Sequence, residues 1–239
     1  YMDNNELINR KFGDRKIILY SVPRTGAHAV MNAFSTMGMV IPKEIQLLSG
    51  RYNHIDVAEQ AFYTHGYHAF NIEGKQSMEM PEILNHCKAD LVCLRRNDIF
   101  ATIASFWGFV NGHCNNPSSH TNWTSTGKAA TYDPFVIERI FEFNAFIQSV
   151  LYCNYLIDNV YPHHPRYLTT INYEAPTAGL KDLYTYLGFR EVPLELAAPS
   201  KLEDYFINHE EFKEDIMRRL NEIHPGGLLY NVVQKIIEN

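Results

Sequence analysis

The sequence predicts an α/β fold, with a central, mainly parallel sheet flanked by helices in a doubly wound arrangement. Three observations predict it. Short apolar runs with β-branched members recur along the chain and alternate with helix-compatible stretches. The first run breaks into a Pro- and Gly-punctuated turn that opens a helix, Lys16-Ile17-Ile18-Leu19-Tyr20-Ser21-Val22-Pro23-Arg24-Thr25-Gly26-Ala27-His28-Ala29. No internal repeat, low-complexity tract or clear linker interrupts the 239 residues, a length that supports one domain, 1–239, with a large core.

The elements follow in order. Ile17–Tyr20 is a buried strand, and a helix runs from about Ala27 to Met37. A helix is expected near Asp56–His65 and a short strand around Ala69–Ile72. Pro81–Cys87 reads as helical, Leu91–Leu94 as a short apolar strand, and Asp98–Phe109 as a helix with Asp98 as its N-cap. Pro134–Asn159 reads as a long helix whose stripe of Phe135, Phe141, Phe143 and Phe146 belongs in the core. Tyr167–Ile171 is a strand and Leu180–Leu187 a helix.

Composition narrows the function. A hydrophobic fraction of 46% and a charged fraction of 20% are ordinary for a globular protein. A net charge of −6 argues against a general nucleic-acid binder and leaves room for a local basic pocket. No apolar run approaches the roughly 18 residues that span a bilayer. The stretch Tyr1-Met2-Asp3-Asn4-Asn5-Glu6 lacks a secretory pattern. Cys87, Cys93, Cys114 and Cys153 have no metal-like spacing, and two of them sit in hydrophobic contexts. No metal and a reducing, cytoplasmic setting are expected. Asn122-Trp123-Thr124 is formally a glycosylation sequon, of little weight without a secretory signal.

Two segments carry anion chemistry. In the Pro23–His28 turn, backbone N–H groups and the helix N-terminus converge on one spot, Arg24 adds a charged fork and Thr25 a hydroxyl. Doubly wound folds bind ligands outside the carboxyl ends of their strands, where this turn lies. The turn is no G-x-x-x-x-G-K-[ST] loop. On these residues alone an ordinary strand–helix turn with a surface arginine reads equally well. In the second segment, Arg95 and Arg96 end a buried strand, and Ser105 follows Asp98 by about two helical turns. An arginine paired with a carboxylate at the sheet edge is the plain alternative there.

The wording Pro23-Arg24-Thr25-Gly26-Ala27-His28 resembles the 5′-phosphosulfate loop of the sulfotransferases that use 3′-phosphoadenosine 5′-phosphosulfate (PAPS). The strand ending in Arg95-Arg96, with Ser105 on the next helix, is similar to that family's 3′-phosphate site; its spacing looks closer to the bacterial trehalose-type enzymes than to the cytosolic steroid and phenol enzymes. Tyr173-Glu174, followed by a helix closing on Leu187-Gly188, matches a third family element, in which Glu174 caps or orients neighbouring backbone or is purely structural. The resemblance covers most of residues 16–190. It implies a P-loop-like sulfotransferase fold, PAPS as donor without a metal, and a small-molecule or glycan acceptor. It implies cofactor contacts from Pro23, Arg24, Thr25, Gly26, Ala27, His28 and Ala29, and from Arg96 (with Arg95 as the fallback) and Ser105. Ala27 and Ala29 replace residues that are often hydroxyl-bearing and aromatic in the family, so some loop contacts are backbone only. The Gly-rich C-terminal cofactor loop of the cytosolic enzymes is not recognisable here; the one Gly-rich stretch near that end, His224-Pro225-Gly226-Gly227, reads equally well as a turn between two helices.

Sulfuryl transfer needs a base at the acceptor and positive charge at the departing oxygen. Arg24 suits the second role. For the first, Glu73 at the end of the Ala69–Ile72 strand is preferred, with His28 as a further candidate; His68 starts that strand and falls at the wrong sheet edge. Residues 106–133, which mix Trp107, Phe109, Trp123, Tyr132, His113 and His120 with small polar residues, read as an acceptor-site lid, with a long disordered insertion as the plain alternative. A non-catalytic nucleotide- or anion-binding module remains the alternative, followed by a small-molecule kinase, which the missing P-loop lysine disfavours.

Overall fold

Lys16–Ser21 forms strand β1 because its run of β-branched and aromatic residues can be buried on both faces; Ile17, Ile18, Leu19 and Tyr20 are all buried. The computed structural model describes residues 16–22, 24–36, 61–65, 81, 84–85, 88–111, 129–135, 140–187 and 200–222. The chain separates into two compact units, residues 1–97 with 156–198, and residues 98–155 with 199–239.

The first unit holds the sheet. Helix α1 (Ala27–Thr36) follows β1, then come β2 (Ala61–His65), β3 (Ala89–Arg95) and, later in the chain, β4 (Tyr167–Asn172). The strand order is β2-β1-β3-β4 and every pairing is parallel. β1 lies between β2, through Ile17↔Ala61 to Ser21↔His65, and β3, through Lys16↔Ala89 to Tyr20↔Cys93. β3 pairs with β4 from Leu91↔Tyr167 to Arg95↔Asn172, with one bulge after Leu91. The expected mainly parallel sheet is therefore present.

Two of the expected elements change. The stretch expected to be helical near Asp56–His65 ends instead in β2, since Ala61–His65 pairs along β1. Its sequence, Ala-Phe-Tyr-Thr-His, favours a pleated surface, and a run this short carries no helical period to decide otherwise. The expected strand at Ala69–Ile72 lies outside the described residues. Of Pro81–Cys87, Pro81, Leu84 and Asn85 have helical backbone.

One face of the sheet is covered by helices. Ala27, Val30, Met31 and Phe34 recur at helical spacing on α1. They pack with Ile17, Leu19, Val92, Leu94 and Ile171 of the sheet and with Leu180, Leu183 and Tyr184 of α4 (Thr177–Leu187), the helix that follows β4. Each fully buried aliphatic side chain here contributes roughly 1.5–3 kcal/mol. α4 approaches β4 so closely that a Cβ on Gly179 would lie 2.6 Å from the Thr170 carbonyl oxygen, so only glycine permits this contact. On the other face Tyr20 meets Tyr161 of a 3₁₀ turn (Tyr161–His163) edge-on, with ring centroids 5.0 Å apart. Cys93 of β3 and Cys153 in the second unit are buried and outside any disulfide, in line with the expectation of buried thiols.

The second unit contains α2 (Ile99–Val110), residues 140–155 of α3 (Ile140–Asn159), the short α5 (Leu202–Tyr205) and α6 (His209–Glu222). Asp98 caps α2 as expected: its carboxylate accepts the Ala101 N–H at 2.8 Å. Residues 101–108 of α2 are buried all round, so the helix is interior rather than amphipathic. Phe106 stacks on Phe146 of α3 at 3.8 Å. Trp107, Tyr132, Phe206 and Phe212 form an aromatic cluster with centroids 4.6–5.8 Å apart. Trp107 and Tyr132, expected in a lid, are thus core residues, 3% and 2% exposed; residues 112–128 of that stretch lie outside the described residues. Phe143 and Phe146 are buried as expected, whereas Phe135 is 94% exposed. Pro134 and Phe135 form a turn in which Asp133 accepts the Phe135 N–H, so the helical stripe does not extend back to them. The side chain of Phe141 lies outside the described residues.

Asp215 on α6 anchors this cluster. It accepts the Tyr132 hydroxyl at 2.5 Å, Arg219 Nε at 2.7 Å and Arg218 Nη2 at 2.6 Å. Burial alone would raise its pKa; the three hydrogen bonds outweigh burial and hold it below the usual carboxylate value of about 3.9. A folded-state pKa below the unfolded one stabilises the fold above the unfolded value and is lost as pH falls through the folded one. Asp215→Asn should therefore lower the melting temperature at pH 7 and flatten its fall between about pH 5 and pH 2. Parallel pH profiles of the two proteins would contradict this account of Asp215.

Candidate anion-binding site

The strand order places the site. β1 has β2 on one side and β3 on the other, so the chain reverses its direction of winding between β1 and β3. In open α/β sheets the crevice outside the carboxyl ends of such a pair is where ligands sit. Val22–Gly26 leaves the end of β1 and Arg95–Asn97 leaves the end of β3. The two arginine-bearing turns singled out in the sequence are neighbours for that topological reason.

The β1 turn is tightly built. Arg24 has φ +70°, uncommon for a residue with a side chain, and Gly26 has φ +84°. Such backbone persists only where its surroundings enforce it, and it concentrates at functional sites. The Thr25 hydroxyl donates to the Val22 carbonyl at 2.8 Å and is 1% exposed. That hydroxyl, for which a ligand contact is expected, ties the turn to the strand end in this structure. The Gly26 carbonyl accepts the Ala29 and Val30 N–H groups at 3.0 and 3.4 Å, so it opens the hydrogen-bond ladder of α1. The N–H groups just before Ala29 have no partner within the helix and carry its positive dipole end. Ala27 is buried, Ala29 and Arg24 are half-buried, and Pro23 and the His28 side chain lie outside the described residues.

The β3 turn separates its two arginines. Successive strand residues point to opposite sides. Arg95 turns to Asp158, with which it forms a half-exposed ion pair. Arg96 is 5% exposed, and its Nη1 donates to the Arg24 carbonyl at 3.5 Å. The structure thus brings Arg96, the first choice of the two, against the β1 turn, and holds Arg95 with a carboxylate, the plain alternative weighed for this pair. Glu174 accepts the Asn97 N–H with both carboxylate oxygens, at 3.0 Å each, and so orients neighbouring backbone, one of the two readings open for it. The Tyr173 N–H donates to the Arg95 carbonyl at 2.8 Å, extending the β3–β4 ladder past its last pair.

Of the other expected site residues, Ser105 is on α2 in the second unit and is 5% exposed. Glu73 and His68 lie outside the described residues, as does His224–Gly227. Sequence reasoning missed Tyr173: its ring lies over Arg96, 5.3 Å from the guanidinium carbon to the centroid, and against Gly26. The only signal was its place ahead of Glu174.

No protein-family model matches the chain, and no curated protein matches it. Among solved structures, the crystal structure of mouse sulfotransferase SULT7A1 complexed with PAP is similar over 98% of this chain and 94% of that chain, at 15% identity and a TM-score of 0.43. No residue role passes to this chain from a likeness of that size. Among the described residues no helix is long and apolar enough to cross a membrane.

The left-handed backbone at Arg24 gives a test of function against stability. Glycine there would relieve a strain of about 1–2 kcal/mol but add roughly 0.5–1 kcal/mol of unfolded-state entropy. Arg24→Gly should therefore leave the denaturant midpoint nearly unchanged while weakening sulfate binding. A large loss of stability would mean that the Arg24 side chain is structural.

Proposed function

We propose that this protein is a PAPS-dependent sulfotransferase that sulfates a hydroxyl, or an amine, of a small molecule or glycan. The observation that carries the reading is the meeting of the two turns, Arg96 Nη1 to Arg24 carbonyl, at the switch point of a parallel sheet. Their wording supplies the chemistry: Pro-Arg-Thr-Gly opening a helix beside a strand ending in Arg-Arg resembles the two anion sites that PAPS requires, one for the 5′ and one for the 3′ group of its ribose.

The residues present fit such a ligand. The α1 N-terminus and Arg24 suit the 5′ end, and the Arg96 fork suits a phosphate. PAPS, when bound, supplies a sulfo group already activated for transfer. Arg24 and the helix dipole would stabilise the negative charge that develops on the departing oxygen. Glu73, or His28, would take the acceptor's proton. Ser105 joins the 3′-phosphate contacts on the strength of the sequence resemblance, and the Arg96-to-Ser105 spacing favours the bacterial-type arrangement. A non-catalytic anion-binding module is the second reading, favoured by the lack of a Gly-rich cofactor loop near the C-terminus.

By calorimetry, Arg24→Ala and Ser105→Ala should each weaken 3′,5′-ADP binding by about tenfold or more, since a charge-assisted hydrogen bond contributes on the order of 1.5–3 kcal/mol. Unchanged binding in both sinks the site assignment. Glu73→Gln should bind 3′,5′-ADP as the parent does and lose PAPS-dependent turnover. Retained turnover would move the role of base to His28, and absence of turnover in the parent with any acceptor, despite binding, would favour the non-catalytic module.

A further inference from the structure

The end of β4 does more than cap the β3 turn. A Cβ built on Gly26 would lie 2.5 and 2.7 Å from Cε2 and Cδ2 of Tyr173, closer than real side-chain contacts come. The edge of this ring therefore rests directly on the Gly26 backbone. The Arg96 guanidinium lies over the same ring, within the roughly 6 Å at which a cation is attracted to an aromatic face. Tyr173 is in turn fixed from its own backbone. Its N–H is held by the Arg95 carbonyl, and the next residue, Glu174, grips the Asn97 N–H with both oxygens. The chain then turns, with the Glu174 N–H donating to the Asn172 side chain at 3.0 Å and the Ala175 N–H to the Asn172 carbonyl at 3.1 Å.

We propose that Tyr173 is a positioning residue: its ring is a wedge between the Gly26 backbone and the Arg96 guanidinium that sets the spacing of the two turns and aims the Arg96 fork at the bound anion. The positioning half of this inference rests on the sulfotransferase-like reading of the site; the wedge itself does not. The wedge gives position 26 two separate reasons to be glycine, the left-handed φ and the ring. It also explains how a half-buried turn can hold Arg24 at positive φ, because the turn is backed by an aromatic edge on one side and by Arg96 on its carbonyl. A long flexible arginine aimed by a ring loses less rotamer freedom on binding than one left to solvent.

Two measurements separate the halves. The first is a ligand-free stability cycle on the full chain, comparing Gly26→Ala, Tyr173→Ala and the double variant by denaturant midpoint. The wedge predicts that Gly26→Ala lowers the midpoint much less when Tyr173 is already alanine, because only the φ strain remains. Additive effects would overturn the wedge. The second is calorimetry with 3′,5′-ADP. Tyr173→Phe, which keeps the ring, should bind within about twofold of the parent, and Tyr173→Leu, which keeps bulk but no π face, about fivefold or more weaker. Leucine binding as tightly as tyrosine would overturn the positioning role. A parent protein that binds no 3′,5′-ADP overturns the reading of the site and with it the aiming of Arg96, while the stability cycle still decides the wedge.

Discussion

β3 pairs with β1 rather than with β2, and the location of positive charge in the sheet unit depends on that pairing. A parallel strand inserted beside β1 brings the carboxyl ends of the two central strands together. Each of those ends leads into a turn that carries arginine. Had β3 added at the outer edge of β2, Arg96 would lie two strands, nearly 10 Å, from the β1 turn, and no hydrogen bond to the Arg24 carbonyl could form. Burial favours the pairing: Ile17–Tyr20 of β1 and Leu91–Leu94 of β3 are buried apolar runs, which suit central strands.

Close approach then has to be reconciled with like charge. Two guanidinium-bearing turns at one sheet edge repel unless their charges diverge or an anion is present. The structure separates the three arginines. Arg95 is turned to Asp158, Arg96 lies over Tyr173 and reaches the Arg24 carbonyl, and Arg24 itself sits in left-handed backbone at the mouth of a helix dipole. The Glu174 carboxylate accepts the Asn97 backbone N–H with both oxygens. At the switch point the N-terminus of α1 follows the Arg24 turn, and a helix N-terminus suits phosphate or sulfate better than a cation.

Much of this was legible in the sequence where one local rule acted alone. The strand-turn-helix at 16–36 declared itself by an apolar run, a turn punctuated by Pro23 and Gly26, and helix-compatible residues after it. Asp98 capped the helix that its position promised, and Glu174 oriented backbone as its motif suggested. The failures came where partners distant in sequence decide. Ala61–His65 is a strand because β1 is beside it, and five residues cannot announce that. Trp107 and Tyr132 look like anchors of a loop until Phe206 and Phe212 enclose them. Phe135 fits a helical stripe on paper, but a turn at Pro134 puts it in solvent. Tyr173 carried no signal of its own, because a wedge is defined by what lies on both its sides.

The two turns are proposed to form one site for an adenosine ligand with anionic groups at both the 3′ and 5′ positions of its ribose. A thermal-shift titration with 3′,5′-ADP, alongside ATP and inorganic sulfate, tests it most directly, since a ligand that binds the folded state raises the melting temperature by mass action. The account predicts a saturable rise with 3′,5′-ADP at concentrations where ATP and sulfate produce little. An equal rise with all three, or none with 3′,5′-ADP, would contradict it and leave the turns as a fold feature without that ligand.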